Sequence, residues 1–492
     1  MKSAQKTEMK KAFCAIPDLL SAAPARTGVP QLLLLDAARK PLNGSAAVPE
    51  LPRRFTGKIG ERVEAGKFLV VGCGTPGADA RAFWEAAGAA AVDAMRALRI
   101  DSAALGGTLR ATSQDDAASA FAVGAQLATY RCMAYRRDVP KDHFEVKALH
   151  LSRELWSAGT RGRELGASIN WTRALVDAPA NLLTPQTFVD QLKALKRLGV
   201  AVKVLDEKAL KRIGAGGLLA VGGSSQHPPC LVVLRWNGRR GKDVDLGLAG
   251  KGLTFDAGGL NLKPAPGIAK MKFDMAGAAA VAGALRTLAL RKAPVNVVAT
   301  LALCENVIDG SAYRPGDVIT SLDGLTIEVD NTDAEGRIVL ADALTYLARE
   351  HAPKTIVDLA TLTGAILVAL HEEFAGLFTA DDALAAQLQD AANASGEPLW
   401  RMPLTPRQDY IVDSEIADVK NVGAPGLMGG GMGSSIAGAK FLERFMKGQR
   451  WAHLDIAGMA WSTRPLPGIP KGPTGYGVRL LDRLAEQLGE KK

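Results

Sequence analysis

The chain has 492 residues, 47% of them hydrophobic, enough for more than one domain with its own core. The lysine-rich start, MKSAQKTEMKKAF, has no apolar stretch of signal-peptide length behind it, and no run approaches ~18 uninterrupted apolar residues, so neither secretion nor a membrane span is expected. Of the formal charge of +9, most lies in residues 1–170, with 24 Lys and Arg against 17 Asp and Glu; without an arginine-rich block this makes nucleic-acid binding a second reading only.

In chain order, the first third reads as a small α/β unit. Strands are predicted at QLLLLD (31–36) and FLVVG (68–72), then an alanine-rich helix over 80–98. Gly72, Gly74 and Gly77 spell GxGxxG between strand and helix, the setting of a dinucleotide site. Pro76 stiffens that loop, however, and no second strand precedes Asp101, the acid that would take a ribose. A tight strand-to-helix turn is therefore the better reading. A charged helix over 151–164 leads to breaks at Pro179 and Pro185, which place a domain boundary near residue 165, giving domains 1–165 and 166–492. Beyond it the pattern predicts a helix at 185–198, strands at 200–205, 230–236 and 244–250, a helix at 276–290 and a strand at 295–303. A strand at 325–330, a helix at 337–349 and a strand at 355–360 follow. This alternation implies α/β architecture, a parallel or mixed central sheet with helices on both faces. Five cysteines (Cys14, Cys73, Cys132, Cys230, Cys304) form no CxxC pair and are odd in number, which fits a reducing, cytoplasmic setting.

Charged residues cluster after the predicted strands. The strand at 244–250 runs into Lys251, and KGLTFDAGGLNLKP then brings Asp256 and Lys263. Asp274 precedes the helix at 276–290, and the strand at 325–330 delivers Asp333, Glu335 and Arg337 within NTDAEGR. All are expected on one edge of the sheet. A lone Asp is most often a loop cap or a surface ion pair. Four carboxylates and two lysines gathered between apolar segments are different, because buried unpaired charge costs several kcal/mol. A pair of divalent cations compensates it, since two-metal hydrolytic centres hold ions about 3.5–4 Å apart through such groups. No HExxH occurs, and His143, His150, His227, His351, His371 and His453 never pair at ligand spacing, so a histidine-type zinc site is not expected. Lys251 can be a ligand only after losing its proton, which adjacent dications favour. Lys263 would stay charged and stabilise an oxyanion, and the forked Arg337 suits a small oxyanion such as a carboxylate or bicarbonate.

With these residues assembled, the chain resembles the leucyl (cytosol) aminopeptidase family of dinuclear metallopeptidases. NTDAEGR stands intact at 331–337, together with GKGLTFDAGG (250–259), LKP (262–264), MKFDMAGAAAV (271–281), AYRPGD (312–317), ATLTGA (360–365) and WAHLDIAG (451–458). Residues 1–165 carry no such motif. The resemblance implies a smaller N-terminal α/β domain serving oligomer assembly, then a larger catalytic α/β/α domain with a mixed central sheet. It implies an enzyme that removes N-terminal residues, leucine and other apolar ones preferred, from peptides.

The same resemblance implies that Lys251, Asp256, Asp274 and Glu335 hold one metal, the more exchangeable, which also takes the substrate's α-amine. Asp256, Asp333 and Glu335 would hold the other, and a bridging water would be the nucleophile. Lys263 would polarise the scissile carbonyl, and Arg337 would bind bicarbonate as general base. Leu362 and Gly364 would offer main-chain hydrogen bonds, and Met271 and Thr361 would line the pocket for the first side chain. Zinc or manganese is expected, with magnesium and cobalt also compatible. A cytoplasmic homohexamer of two stacked trimers is implied. Ala257, Asn261 and Ala276 depart from the family pattern, Ala276 adding a methyl beside Asp274 that alters metal affinity. GAPGLMGGGMGSS (423–435) reads as a flexible loop near the site, not a phosphate cradle, because no strand precedes it. The alternative is a DNA-binding accessory role through the basic first domain. A catalytically dead scaffold is disfavoured, because every expected ligand is present.

Overall fold

The computed structural model describes residues 19–21, 28–44, 47–141, 143–423 and 434–489, so most of the glycine-rich segment 423–435 lies outside the described residues. The chain divides into two compact units, 1–174 with 463–472, and 175–462 with 473–492. The division falls inside the helix Arg153–Asp177, which continues well past the predicted end at 164.

The first unit carries β1 (Leu20–Ser21), β2 (Gln31–Leu35), β3 (Arg62–Ala65), β4 (Phe68–Gly72), β5 (Ser102–Leu105) and β6 (Ala148–Leu151). They form one sheet in the order β1-β6-β5-β2-β4-β3, parallel except for the β3–β4 pair. Helices Ala80–Ala97 and Gln114–Thr129 start at Asp79 and Ser113, whose side chains accept the N–H of Ala82 and Asp116. Gly88 and Gly124 let them approach closely: a Cβ on Gly88 would run into the Phe121 carbonyl, and one on Gly124 into that of Glu85. Trp84 and Phe121 are thereby sealed into the core. Gly72 of the GxGxxG stretch meets the Lys58 carbonyl in the same way, so its missing side chain serves backbone packing at a strand-to-helix turn.

The second unit carries β7 (Ala201–Leu205), β8 (Cys230–Asn237), β9 (Leu246–Asp256), β10 (Asn296–Asn306), β11 (Val318–Thr320), β12 (Thr326–Glu328), β13 (Ile356–Ala360), β14 (Ala375–Phe378), β15 (Leu399–Arg401), β16 (Val419–Lys420) and β17 (Trp451–Asp455). Eight of them make a mixed sheet, β15-β14-β17-β13-β9-β10-β8-β7, in which β9, β10, β13 and β17 pair in parallel. All eleven residues of β10 are buried, as expected of a strand covered on both faces. On β9, Gly247 abuts Pro353 and Leu347, while Gly250 abuts Ala278. An odd spacing points them to opposite faces, so the helices Glu335–His351 and Ala276–Leu290 cover opposite sides of the sheet. The stretch Met271–Leu290 is long and apolar enough to cross a membrane, but 83% of its apolar window is buried in this fold.

Two expectations are corrected. β9 runs to Asp256, so Lys251 lies within a strand and not at its end. The segment 325–330 keeps only Thr326–Glu328 as a strand, and this belongs to a separate sheet, β11-β12-β16. Side chains bound it at both ends: Asp418 accepts the N–H of Thr326, its first residue, and Asn421 Oδ1 accepts the N–H of Asp330 and Asn331 beyond its last.

One buried carboxyl makes stability depend on pH. Glu397 accepts the N–H of Gly477 and Leu480 at 2.9 Å each, at the start of the helix Val478–Gly489. Burial pushes its pKa up from 4.5 to about 7, against the lowering by Arg479 and the amides. Because the folded chain then binds more protons than the unfolded one between those values, stability falls as pH rises through that window, by on the order of 3 kcal/mol. Urea unfolding at about pH 5 and pH 8 is expected to show this loss, and Glu397→Gln to remove most of it. Equal slopes for both proteins would refute it.

Candidate active site

Four carboxylates and two lysines meet where β9, the N-terminus of Ala276–Leu290 and the N-terminus of Glu335–His351 converge. Lys251 projects from mid β9 toward the last of these helices. Its ammonium bridges Asp274 Oδ2 at 2.8 Å and Glu335 Oε1 at 3.0 Å, and donates to the Thr361 carbonyl at 2.9 Å. Space for it comes from Gly336, where a Cβ would stand 2.6 Å from Lys251 Cε. Lys263 bridges the other pair, Asp256 Oδ2 at 2.8 Å and Asp333 Oδ1 at 2.5 Å. Asp274 lies just after the turn Met271–Phe273 and accepts the Thr361 hydroxyl at 2.7 Å. Apart from Asp333 and Lys263, these charged side chains are almost wholly buried.

Crowding sets their proton affinities. Burial, reinforced by the charges of Glu335 and Asp274, pushes Asp256 well above the usual carboxylate range. Burial likewise raises Asp274 to about 6, against the pull of Lys251, and it raises Asp333. For Glu335 burial acts the same way, but Lys251 and Lys263 outweigh it and hold this carboxyl low. For both lysines burial favours the neutral form, yet the surrounding carboxylates win and keep them ammonium ions.

The sequence missed the residues that hold these groups. Asn306, at the end of β10, donates from Nδ2 to Asp256 Oδ1 and to the Thr332 carbonyl, both at 2.9 Å. Thr332 and Asn261 exchange reciprocal hydrogen bonds at 2.8 Å, so the departure at Asn261 ties the Asp256 loop to the NTDAEGR turn. The Tyr313 hydroxyl adds a bond to the Thr332 carbonyl at 2.7 Å. Gly258, at φ +90°, has no room for a Cβ between the Asn261 carbonyl and Asp333. Lone Asn and Thr residues carry no motif, so only the fold exposes these roles. Ala257 and Ala276 are buried, the first donating its N–H to the Asn306 carbonyl.

Arg337 is buried, and burial lowers its pKa to about 10. Nη1 donates to the Asn421 carbonyl at 2.9 Å, while Nε has no partner among the described residues. Met271 and Leu362 are half-buried, Thr361 is buried and Gly364 exposed. Leu362 spends its N–H on Asp455 Oδ1 at 3.1 Å, so of its main-chain groups only the carbonyl remains to offer a ligand.

The donor set fits divalent cations. Asp256, Asp333 and Glu335 each bring a carboxylate oxygen within 4.8 Å of the others. Glu335 Oε2 is buried without a hydrogen-bond partner among the described residues, a cost that coordination would remove. Ligands here are oxygens, with one amine in Lys251, as hard and borderline ions prefer.

Residues 170–482 match the family model described as the catalytic domain of the cytosol aminopeptidase family, and residues 55–138 match its N-terminal domain. A probable cytosol aminopeptidase of Brucella suis biovar 1 (strain 1330) is 41% identical over 477 residues, 92% of this chain and 94% of that one. One of Gluconobacter oxydans (strain 621H) is 48% identical over 365 residues, 73% of each. Among solved structures, the bottromycin maturation enzyme BotP in complex with Mn is similar with a TM-score of 0.81 and 36% identity, covering 89% of this chain and 95% of BotP. A tomato leucine aminopeptidase mutant gives 0.77 and 35%, covering 88% and 85%.

Proposed function

This chain belongs to the cytosol aminopeptidase family and is a metal-dependent aminopeptidase acting on peptides, and we propose that it removes N-terminal residues, leucine and other apolar ones preferentially, at a two-metal centre. The observation that carries the reading is the convergence of Asp256, Asp333 and Glu335 oxygens within 4.8 Å, flanked by Asp274 and Lys251. Lys251, Asp256, Asp274 and Glu335 would hold one ion, and Asp256, Asp333 and Glu335 the other. Zinc or manganese suits the set, with magnesium or cobalt as substitutes; a manganese complex is among the similar structures. When bound, the pair supplies Lewis acidity and lowers the pKa of water, the chemistry by which such centres hydrolyse amides.

The chain's own groups do the rest. Lys263 keeps a fixed positive charge facing the carboxylate cluster, placed to favour an oxyanion. Arg337, with Nε unspent, is suited to bicarbonate as the proton carrier. Leu362 would accept a substrate N–H at its carbonyl, Gly364 would offer main-chain contacts, and Met271 and Thr361 would flank the first side chain. We place the enzyme in the cytoplasm as a homohexamer, with the first unit serving assembly.

Two measurements follow. Dialysis against chelator should abolish hydrolysis of leucyl-p-nitroanilide, Mn²⁺ or Zn²⁺ should restore it, and Asp333→Ala should stay inactive with metal. Activity that survives chelation, or an active variant, would exclude the two-metal reading. Because Lys251 is an ammonium until a cation displaces its proton, loading should release protons. Calorimetry in buffers of different ionisation enthalpy should then give different apparent heats, and the difference should shrink in Lys251→Met. Identical heats in all buffers would exclude Lys251 as a ligand.

A further inference from the structure

We propose that Asp455, at the end of β17, is a positioning residue for the active site, fixing the loop 361–364 against the cation-binding carboxylates. This rests on the reading of the cluster as a metal centre. WAHLDIAG contributes no group to that cluster, yet its Asp455 is fully buried and both carboxylate oxygens are committed. Oδ1 accepts the N–H of Leu362 at 3.1 Å and of Ala457 at 3.2 Å, and Oδ2 accepts the Thr363 hydroxyl at 2.6 Å.

The register explains why this carboxylate reaches this loop. β17 and β13 run in parallel with Asp455 opposite Ala360, and Ile456 N–H bonds the Ala360 carbonyl at 2.8 Å. The chain leaving β13 therefore starts beside Asp455. One residue on, Thr361 holds two cluster members at once: its hydroxyl donates to Asp274 Oδ1 and its carbonyl takes the Lys251 ammonium. Two residues further, Thr363 caps the helix Gly364–Leu370 by accepting the Ile366 N–H. Asp455 thus grips the two residues that follow Thr361, and a charge-assisted bond to each restrains it more than neutral partners would. It also occupies the Leu362 N–H, so of that residue's main-chain groups only the carbonyl is left for a ligand.

Beneath it the same two strands carry a second buried pair. His453 Nδ1 lies 2.6 Å from Asp358 Oδ1, and Trp451 Nε1 donates to Asp358 Oδ2 at 2.8 Å. These bonds lock β13 to β17 in register, so the Asp455 carboxylate is carried by a rigid base. A site set on strand ends in this way is held more precisely than one set on loops alone.

The test is a double-mutant cycle of Asp455→Asn and Thr363→Val, each read in two ways: kcat and KM for leucyl-p-nitroanilide at saturating Mn²⁺, and the Mn²⁺ dissociation constant by competition with a chromophoric chelator. Each single variant should lose at least tenfold in kcat/KM and bind Mn²⁺ at least tenfold more weakly. The double variant should lose less than the product of the two single losses, because both remove the Asp455–Thr363 bond. Leu231→Ala, a large-to-small change in the core on β8, which pairs with β10 and β7 and not with β9, serves as a destabilised control with unchanged kcat/KM. The proposal is overturned if Asp455→Asn stays within threefold of the parent in both readouts, if the two losses multiply, or if Leu231→Ala, destabilised at least as much, loses as much in both readouts. Should the parent protein hydrolyse no aminoacyl substrate, the proposed function falls, while the Mn²⁺ arm still decides whether Asp455 orders the site.

Discussion

Gly336→Ala is expected to reduce kcat/KM at least a hundredfold while leaving the fold intact. Alanine in the first turn of a helix is ordinarily favourable over glycine, by up to about 1 kcal/mol. Here the added methyl would lie 2.6 Å from Lys251 Cε and 2.7 Å from its Nζ. Side-chain ends usually move aside cheaply. Lys251 cannot, because it is 2% exposed and tied to Asp274, Glu335 and the Thr361 carbonyl. Hydrogen bonds to charged groups contribute about 1.5–3 kcal/mol each, so displacing the ammonium outweighs the helical gain locally. Circular dichroism should therefore change little and the melting temperature fall by only a few degrees, while hydrolysis and Mn²⁺ affinity fall together. Activity within threefold of the parent would mean that Lys251 is free to move and is not fixed by its neighbours.

That constraint illustrates what was legible in the sequence. NTDAEGR gave Asp333, Glu335 and Arg337, the segment after the strand at 244–250 gave Lys251, Asp256 and Lys263, and the start of the helix at 276–290 gave Asp274, because ionised side chains amid apolar runs need a reason. Strand and helix periodicity placed β2, β4 and the helix Ala276–Leu290 to within a residue or two. Other features were not legible. Local pattern reads 325–330 as one more strand of the main sheet, but its partners are β11 and β16, and β16 lies about ninety residues downstream. Lys251 sits inside β9 because β10 continues to pair past Leu303, across an irregularity at Cys304 and Glu305 that periodicity does not signal. Asn306, Asn261, Asn421 and Asp455 became visible only once distant segments met, since their work is to satisfy main-chain groups contributed by other parts of the chain.

Lys263→Met should lower kcat by about a hundred- to a thousandfold, the range typical of removing a fixed group that stabilises a developing oxyanion. Two effects compete in this variant. The ammonium neutralises Asp256 and Asp333 at 2.8 and 2.5 Å, so without it the cation-free cluster carries more uncompensated negative charge. The same loss removes a positive charge from beside the proposed ions, so Mn²⁺ affinity should hold or rise. Lys251→Met gives the opposite signature, because it removes a ligand: affinity should fall, and added metal should recover part of the activity. Measuring kcat at saturating Mn²⁺ alongside the chelator-competition dissociation constant separates the two lysines. If Lys263→Met instead binds Mn²⁺ more weakly and regains the parent's kcat at high metal, its charge holds the cluster together and does not act on the scissile carbonyl. An unchanged affinity with a lost kcat would assign the ammonium to the transition state.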